Sequence, residues 1–116
     1  MSEFDPLGKD PHEPGAKLDA GKNRLGLVFF GFTRALQAVG KIGTYGANKY
    51  TDNGWESVPQ GKQRYTDALL RHLLREAEGE ILDPDTNLHH AAHCAWNALA
   101  RLELMLRGEE NSEDNH

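Results

Sequence analysis

Apolar residues recur at positions 25, 28, 29, 32, 35, 36, 39 and 42, the i, i+3, i+4 spacing of an amphipathic helix. This predicts a first helix over about residues 25–44. A second stripe, Leu69, Leu70, Leu73, Leu74, Ala77 and Ile81, predicts a helix over about residues 60–81, with Gly79 weakening its last turn. Pro84 ends it, and Asp85 or Asn87 caps the helix that follows. That third helix, about residues 88–106, is so rich in Ala and Leu that it must be buried on several sides, and Gly108 stops it. Between the first two helices, Tyr45, Tyr50 and Trp55 sit among Gly46, Gly54, Pro59 and Gly61, the composition of a loop with aromatic anchors. Residues 1–24 hold Pro6, Pro11 and Pro14 with few apolar positions and read as a flexible arm, while residues 108–116 read as an acidic disordered tail. The expected fold is all-α, a small antiparallel helical bundle over residues 25–107.

A chain of 116 residues allows one domain. Short helical chains leave much of their surface unburied, so completion by a homo-oligomer, a dimer or tetramer, is expected. Cys94 is the only cysteine, which excludes an internal disulfide, and it lacks the basic neighbours of a nucleophile. The N-terminus has no signal-peptide pattern, and the longest apolar run, residues 25–32, is broken by Gly26 and Gly31 and is too short for a bilayer. The expectation is a cytoplasmic protein with no membrane partner. A net charge of −5 argues against a nucleic-acid polymer as partner. The charge is nevertheless polarised, with −3 over residues 1–13, +6 over 14–75 and −8 over 76–116. Bases to hold phosphate oxygens and carboxylates to hold a cation are what a metal-bound polyphosphate requires.

On a wheel of about 100° per residue, His72, Glu76, Glu80 and Asp83 fall at roughly 0°, 40°, 80° and 20°, provided that the second helix persists so far. This acidic face borders the apolar stripe, where clustered carboxylates need a cation or basic neighbours. His90, His93 and Asn97 share one face of the third helix, which a short turn brings back beside the second. The chain has no phosphate-binding Gly-x-x-x-x-Gly-Lys-Ser/Thr loop, no His-Asp dipeptide and no His-Glu-x-x-His motif.

The succession Lys17-x-Asp19-x-Gly21-Lys22-x-Arg24, Tyr45-Gly46-Ala47-x-Lys49-Tyr50, Asn53-x-Trp55, Arg71-His72-Leu73, Gly79-Glu80-x-x-Asp83 and His90-x-x-His93-x-x-x-Asn97 resembles the phage dATP/dGTP diphosphohydrolase domain of the MazZ type. The resemblance covers about residues 15–106. It implies an all-helical fold related to the MazG-like pyrophosphohydrolases and the cleavage of a deoxypurine triphosphate, dGTP ahead of dATP, to monophosphate and pyrophosphate. In phages that replace adenine by diaminopurine, such an enzyme supplies dGMP; the site of action would then be the host cytoplasm. Of the MazG pattern of paired acidic motifs, only Glu80-x-x-Asp83 is present, and residues 25–44 contain no carboxylate. Remaining ligands must come from His72, Glu76, His90 or His93, or from a neighbouring subunit.

The site expected is therefore magnesium or manganese held by His72, Glu76, Glu80, Asp83 and His90, with His72, Glu80, Asp83 and His93 carrying catalysis. Lys17, Lys22, Arg24 and Lys49 would bind phosphate oxygens, Tyr50 or Trp55 would stack on the purine, and Asn97 would offer hydrogen bonds. Two rivals remain: a non-catalytic helical module binding a metal or a partner, and a hydrolase releasing nucleoside and triphosphate.

Overall fold

The computed structural model describes residues 3–114, with side chains through residue 110. The chain divides after Phe32 into two compact units. In the first, the carboxylate of the buried Asp5 accepts hydrogen bonds from the backbone N–H of Leu7 (2.7 Å) and Lys17 (2.9 Å), closing a loop of turns where a flexible arm was expected. One short helix, α1 (Gly26–Phe29), follows.

The second unit holds α2 (Thr33–Lys49), a 3₁₀ turn (Gly54–Ser57), α3 (Gly61–Ala77) and α4 (His90–Asp114). The all-α expectation holds, and no strand occurs among the described residues. Contacts between α3 and α4 run in opposite senses. Thr66 meets Arg101, the Leu69 carbonyl meets Cys94, and His72 meets His90. The two helices are thus antiparallel. Helix α4 also meets α2, where Gly43 allows close approach, since a Cβ there would lie 3.3 Å from Trp96 Nε1.

Several boundaries differ from expectation for local reasons. The first periodic segment is broken at residues 30–32, where Gly31 sits so near the Leu27 carbonyl that a Cβ would come within 2.5 Å of it. Helix α2 then continues past Thr44 to Lys49, so Tyr45 is helical and not part of a loop. Helix α3 stops at Ala77 and not at Ile81. Gly79, at φ +102°, closes it in a Schellman motif, with Glu80 N–H donating to the Arg75 carbonyl and Gly79 N–H to the Glu76 carbonyl. Helix α4 begins at His90, with Asn87 left-handed in the preceding turn and neither Asp85 nor Asn87 as its cap. It passes through Gly108 to Asp114, because one glycine costs a helix only about 1 kcal/mol when helix-forming glutamates follow. Of the expected tail, residues 109–114 are therefore helical, and 115 and 116 lie outside the described residues.

Among the described residues of this unit, the buried hydrophobic side chains are Ile42, Ala92 and Ala100. They lie alongside His90, His93 and Asn97, all below 9% exposed. Leu70, Leu73, Leu74, Leu99, Leu102 and Leu106 stay exposed. The deepest part of the bundle is thus polar, and polar groups are buried only where they find partners.

Candidate functional site

The Schellman turn at Gly79 releases the chain from α3 into a hairpin-like loop. Asp83 N–H donates to the Leu88 carbonyl (2.8 Å) and His90 N–H to the Ile81 carbonyl (3.0 Å), pinning both ends of the loop. Within it, Asp83 Oδ1 accepts the Asp85 N–H at 2.7 Å, which fixes the carboxylate against its own turn. These bonds bring Asp83 back to the end of α3. One nitrogen each of His72 and His93 and a carboxylate oxygen of Asp83 lie within 4.8 Å of one another. They come from α3, the loop and α4 respectively.

Around this trio the polar contacts are continuous. Glu80 Oε1 accepts from His90 Nε2–H at 2.8 Å, and His90 Nδ1 faces His72 Nδ1 at the same distance. His72 Nδ1 also lies 3.6 Å from Asp83 Oδ2. The His72 and His93 rings stack with centroids 4.2 Å apart and planes 4° from parallel. His93 Nε2 is 2.9 Å from Thr86 Oγ1, which accepts the Leu88 N–H. Asn97 donates to the His93 carbonyl, so its amide is engaged by its own helix.

Electrostatics favours neutral imidazoles beside an ionised carboxylate. Burial pushes the pKa of His72 down, and neighbouring His93 adds to this against the opposing pull of Asp83. Burial lowers His93 in the same way, partly offset by Asp83. For Asp83, burial alone would raise the pKa, but the N–H donors of Asp85 and Thr86 and the nearby imidazoles outweigh it and hold the carboxyl below its ordinary value. Two neutral nitrogen donors and one carboxylate oxygen form a donor set suited to a divalent metal ion.

The expected residues are distributed unevenly over this arrangement. His72, Asp83 and His93 form the donor trio, while His90 and Glu80 sit behind His72. The shared helical face expected for His72, Glu76, Glu80 and Asp83 does not exist, because α3 ends before Glu80; loop folding brings Glu80 and Asp83 to the site instead. Glu76 remains on α3 near Cys94, where burial first and the Glu76 charge second raise the thiol pKa. Trp55 belongs to a separate edge-to-face cluster with Tyr65 and Trp96 (6.5 and 6.1 Å), its ring covered by Arg107 at 5.4 Å. Its backbone carbonyl accepts the Tyr65 hydroxyl at 2.7 Å. Lys49 lies over the Tyr45 and Tyr50 rings at the exposed end of α2. Lys17, Lys22 and Arg24 belong to the first unit, where Lys22 reaches Glu3 at 3.9 Å.

Two features escaped the sequence reading. Thr86 has no motif that marks it as the hydroxyl beside His93. Arg34, Gln37 and Lys41 line a groove of about 200 Å³ with Leu88, His89 and Ala92; their helical spacing along α2 was legible, but not what they would face.

The fold and the cluster define an all-helical domain organised round a histidine–carboxylate centre. The family model described as dATP/dGTP diphosphohydrolase, N-terminal, matches residues 12–114, and the chain belongs to that family. It is 33% identical over 100 residues to the dATP/dGTP diphosphohydrolase of Salmonella phage PMBT28, a match covering 86% of this chain and 32% of that protein. The chain thus spans about a third of the length of this curated relative. No solved structure matches it. Among the described residues no helix is long and apolar enough to cross a membrane.

Proposed function

We propose that this domain serves the divalent-ion-dependent hydrolysis of a deoxypurine nucleoside triphosphate, dGTP ahead of dATP, to monophosphate and pyrophosphate. The setting is phage nucleotide metabolism in the host cytoplasm, with dGMP passed to diaminopurine nucleotide synthesis. Family membership supports the reaction class, and the convergence of His72, Asp83 and His93 is the observation that carries it. When bound there, a divalent ion neutralises phosphate charge and lowers the pKa of an attacking water. Asp83 is kept ionised by its turn, and both imidazoles are kept neutral, so all three donors have a lone pair available at neutral pH. Arg34 and Lys41 on the α2 groove, and Lys49 at its end, supply cations for phosphate oxygens. The exposed leucines of α3 and α4 support a homo-oligomer in which copies cover these faces.

A second reading is favoured by the match to only 32% of the phage relative: the domain binds metal or nucleotide without turnover. Chromatography of products from dGTP, dATP, dCTP and dTTP, each with and without divalent ions, separates the two. Metal-dependent dGMP and pyrophosphate establish the diphosphohydrolase. No product from any triphosphate overturns the hydrolase reading, and release of nucleoside with triphosphate would show a different cleavage point.

A further inference from the structure

The expected ligand set treated Glu80 as a direct ligand and magnesium or manganese as the ion. The geometry around His72 assigns Glu80 another place. Its carboxylate reaches His90 Nε2 at 2.8 Å, and His90, only 2% exposed, reaches His72 Nδ1 at 2.8 Å. A carboxylate only accepts, so His90 Nε2 carries the proton. His90 Nδ1 and His72 Nδ1 then share one proton across their 2.8 Å contact. The chain Glu80–His90–His72 therefore orients the His72 ring and leaves its Nε2 outside this contact.

Glu80 and His90 thus occupy the outer position that carboxylates commonly take behind metal-binding histidines. The donors left facing one another are two imidazoles and the Asp83 carboxylate. Magnesium takes oxygen ligands in a strict octahedron, whereas imidazole favours the later first-row ions. Three protein donors leave positions open for water or phosphate. The His72 and His93 lone pairs lie in parallel planes, so loading requires one ring to turn out of the stack.

We propose that His72, Asp83 and His93 form a centre for one late first-row divalent ion of the iron-to-zinc class, with Glu80 and His90 acting as positioning residues and not as ligands. This deepens the metal site of the proposed hydrolase and rests on that site, but its test does not rest on turnover. The metal-free, untagged chain is titrated calorimetrically with Zn²⁺, Co²⁺, Mn²⁺ and Mg²⁺, and the Co²⁺ complex is followed by visible absorption. One ion per chain is expected, with Mg²⁺ at least roughly 100-fold weaker than Zn²⁺. Asp83→Asn and His93→Ala abolish the Co²⁺ spectrum, while Glu80→Gln retains it and weakens affinity about 10- to 100-fold. Circular dichroism confirms that each variant is folded. Loss of binding in folded Glu80→Gln equal to that in Asp83→Asn would make Glu80 a ligand and overturn the proposal. So would tighter binding of Mg²⁺ than Zn²⁺, or no binding of any ion by the folded chain. Zinc binding without triphosphate cleavage would uphold the centre and sink the hydrolase reading alone.

Discussion

His72 lies flat against His93, their planes 4° from parallel and their centroids 4.2 Å apart, with Asp83 Oδ2 3.6 Å from His72 Nδ1. The pair joins α3 to α4 at the end where the connecting loop folds back. Stacking in this way disfavours charge on both rings at once, since two imidazolium ions in contact repel. The same contact therefore links the stability of the bundle to the chemistry of the site.

Acidification should weaken the metal-free fold. The pKa of His72 and of His93 is lower in the folded chain than in the unfolded one, so the unfolded state takes up protons first. Their stabilising contribution is complete above the ordinary histidine pKa of about 6.5 and is lost as pH falls below it through the lowered folded values. Asp83, also lowered, adds a second loss only under more acid conditions, below the ordinary carboxylate range. Melting temperature measured in chelator should be flat above about pH 7 and fall steadily below about 6.5. A rise over that interval would contradict the burial of two neutral imidazoles.

Asp83→Asn keeps an oxygen to accept the Asp85 N–H while removing the charge. Helix content should be unchanged, ion affinity should fall by at least about 100-fold, and metal-dependent turnover should fall with it. Calorimetry beside a product assay checks both. Unchanged affinity would remove Asp83 from the donor set.

Gly79→Ala places a Cβ on a residue at φ +102°. A cost of about 1–2 kcal/mol in denaturant unfolding is expected from the backbone alone. Because Gly79 turns the chain toward Glu80 and Asp83, ion affinity should drop as well. Full affinity at reduced stability would show that the loop holds its own shape.

Trp55→Ala distinguishes packing from base stacking. The ring meets Tyr65, Trp96 and Arg107, so truncation should cost roughly 2–3 kcal/mol while KM for the triphosphate and ion affinity stay within about twofold. A large rise in KM with little loss of stability would return Trp55 to the substrate.

What was legible in the sequence was what short-range periodicity and residue chemistry determine. The i, i+3, i+4 stripes marked three helical segments, while the Ala/Leu richness of α4 suggested burial on several sides, yet Leu99, Leu102 and Leu106 are exposed within this chain. His90, His93 and Asn97 were recognisable as one face because helical geometry depends only on spacing. The break at Gly31, the run of α2 through Gly46 and the run of α4 through Gly108 were not legible, since a glycine stops a helix only if its surroundings offer the backbone other partners.

The sequence by itself therefore determined an all-helical chain carrying histidines and carboxylates in the right neighbourhood. Tertiary structure decided where they stand. On a continuous helix, Glu80 and Asp83 would have shared the face of His72. The left-handed Gly79 ends α3, and the loop hydrogen bonds from Asp83 to Leu88 and from His90 to Ile81 return Asp83 to the His72–His93 pair and send Glu80 behind His90. Which residue donates to an ion and which only orients a donor depends on through-space distances of about 3 Å. Those distances are set by packing between segments far apart in the chain.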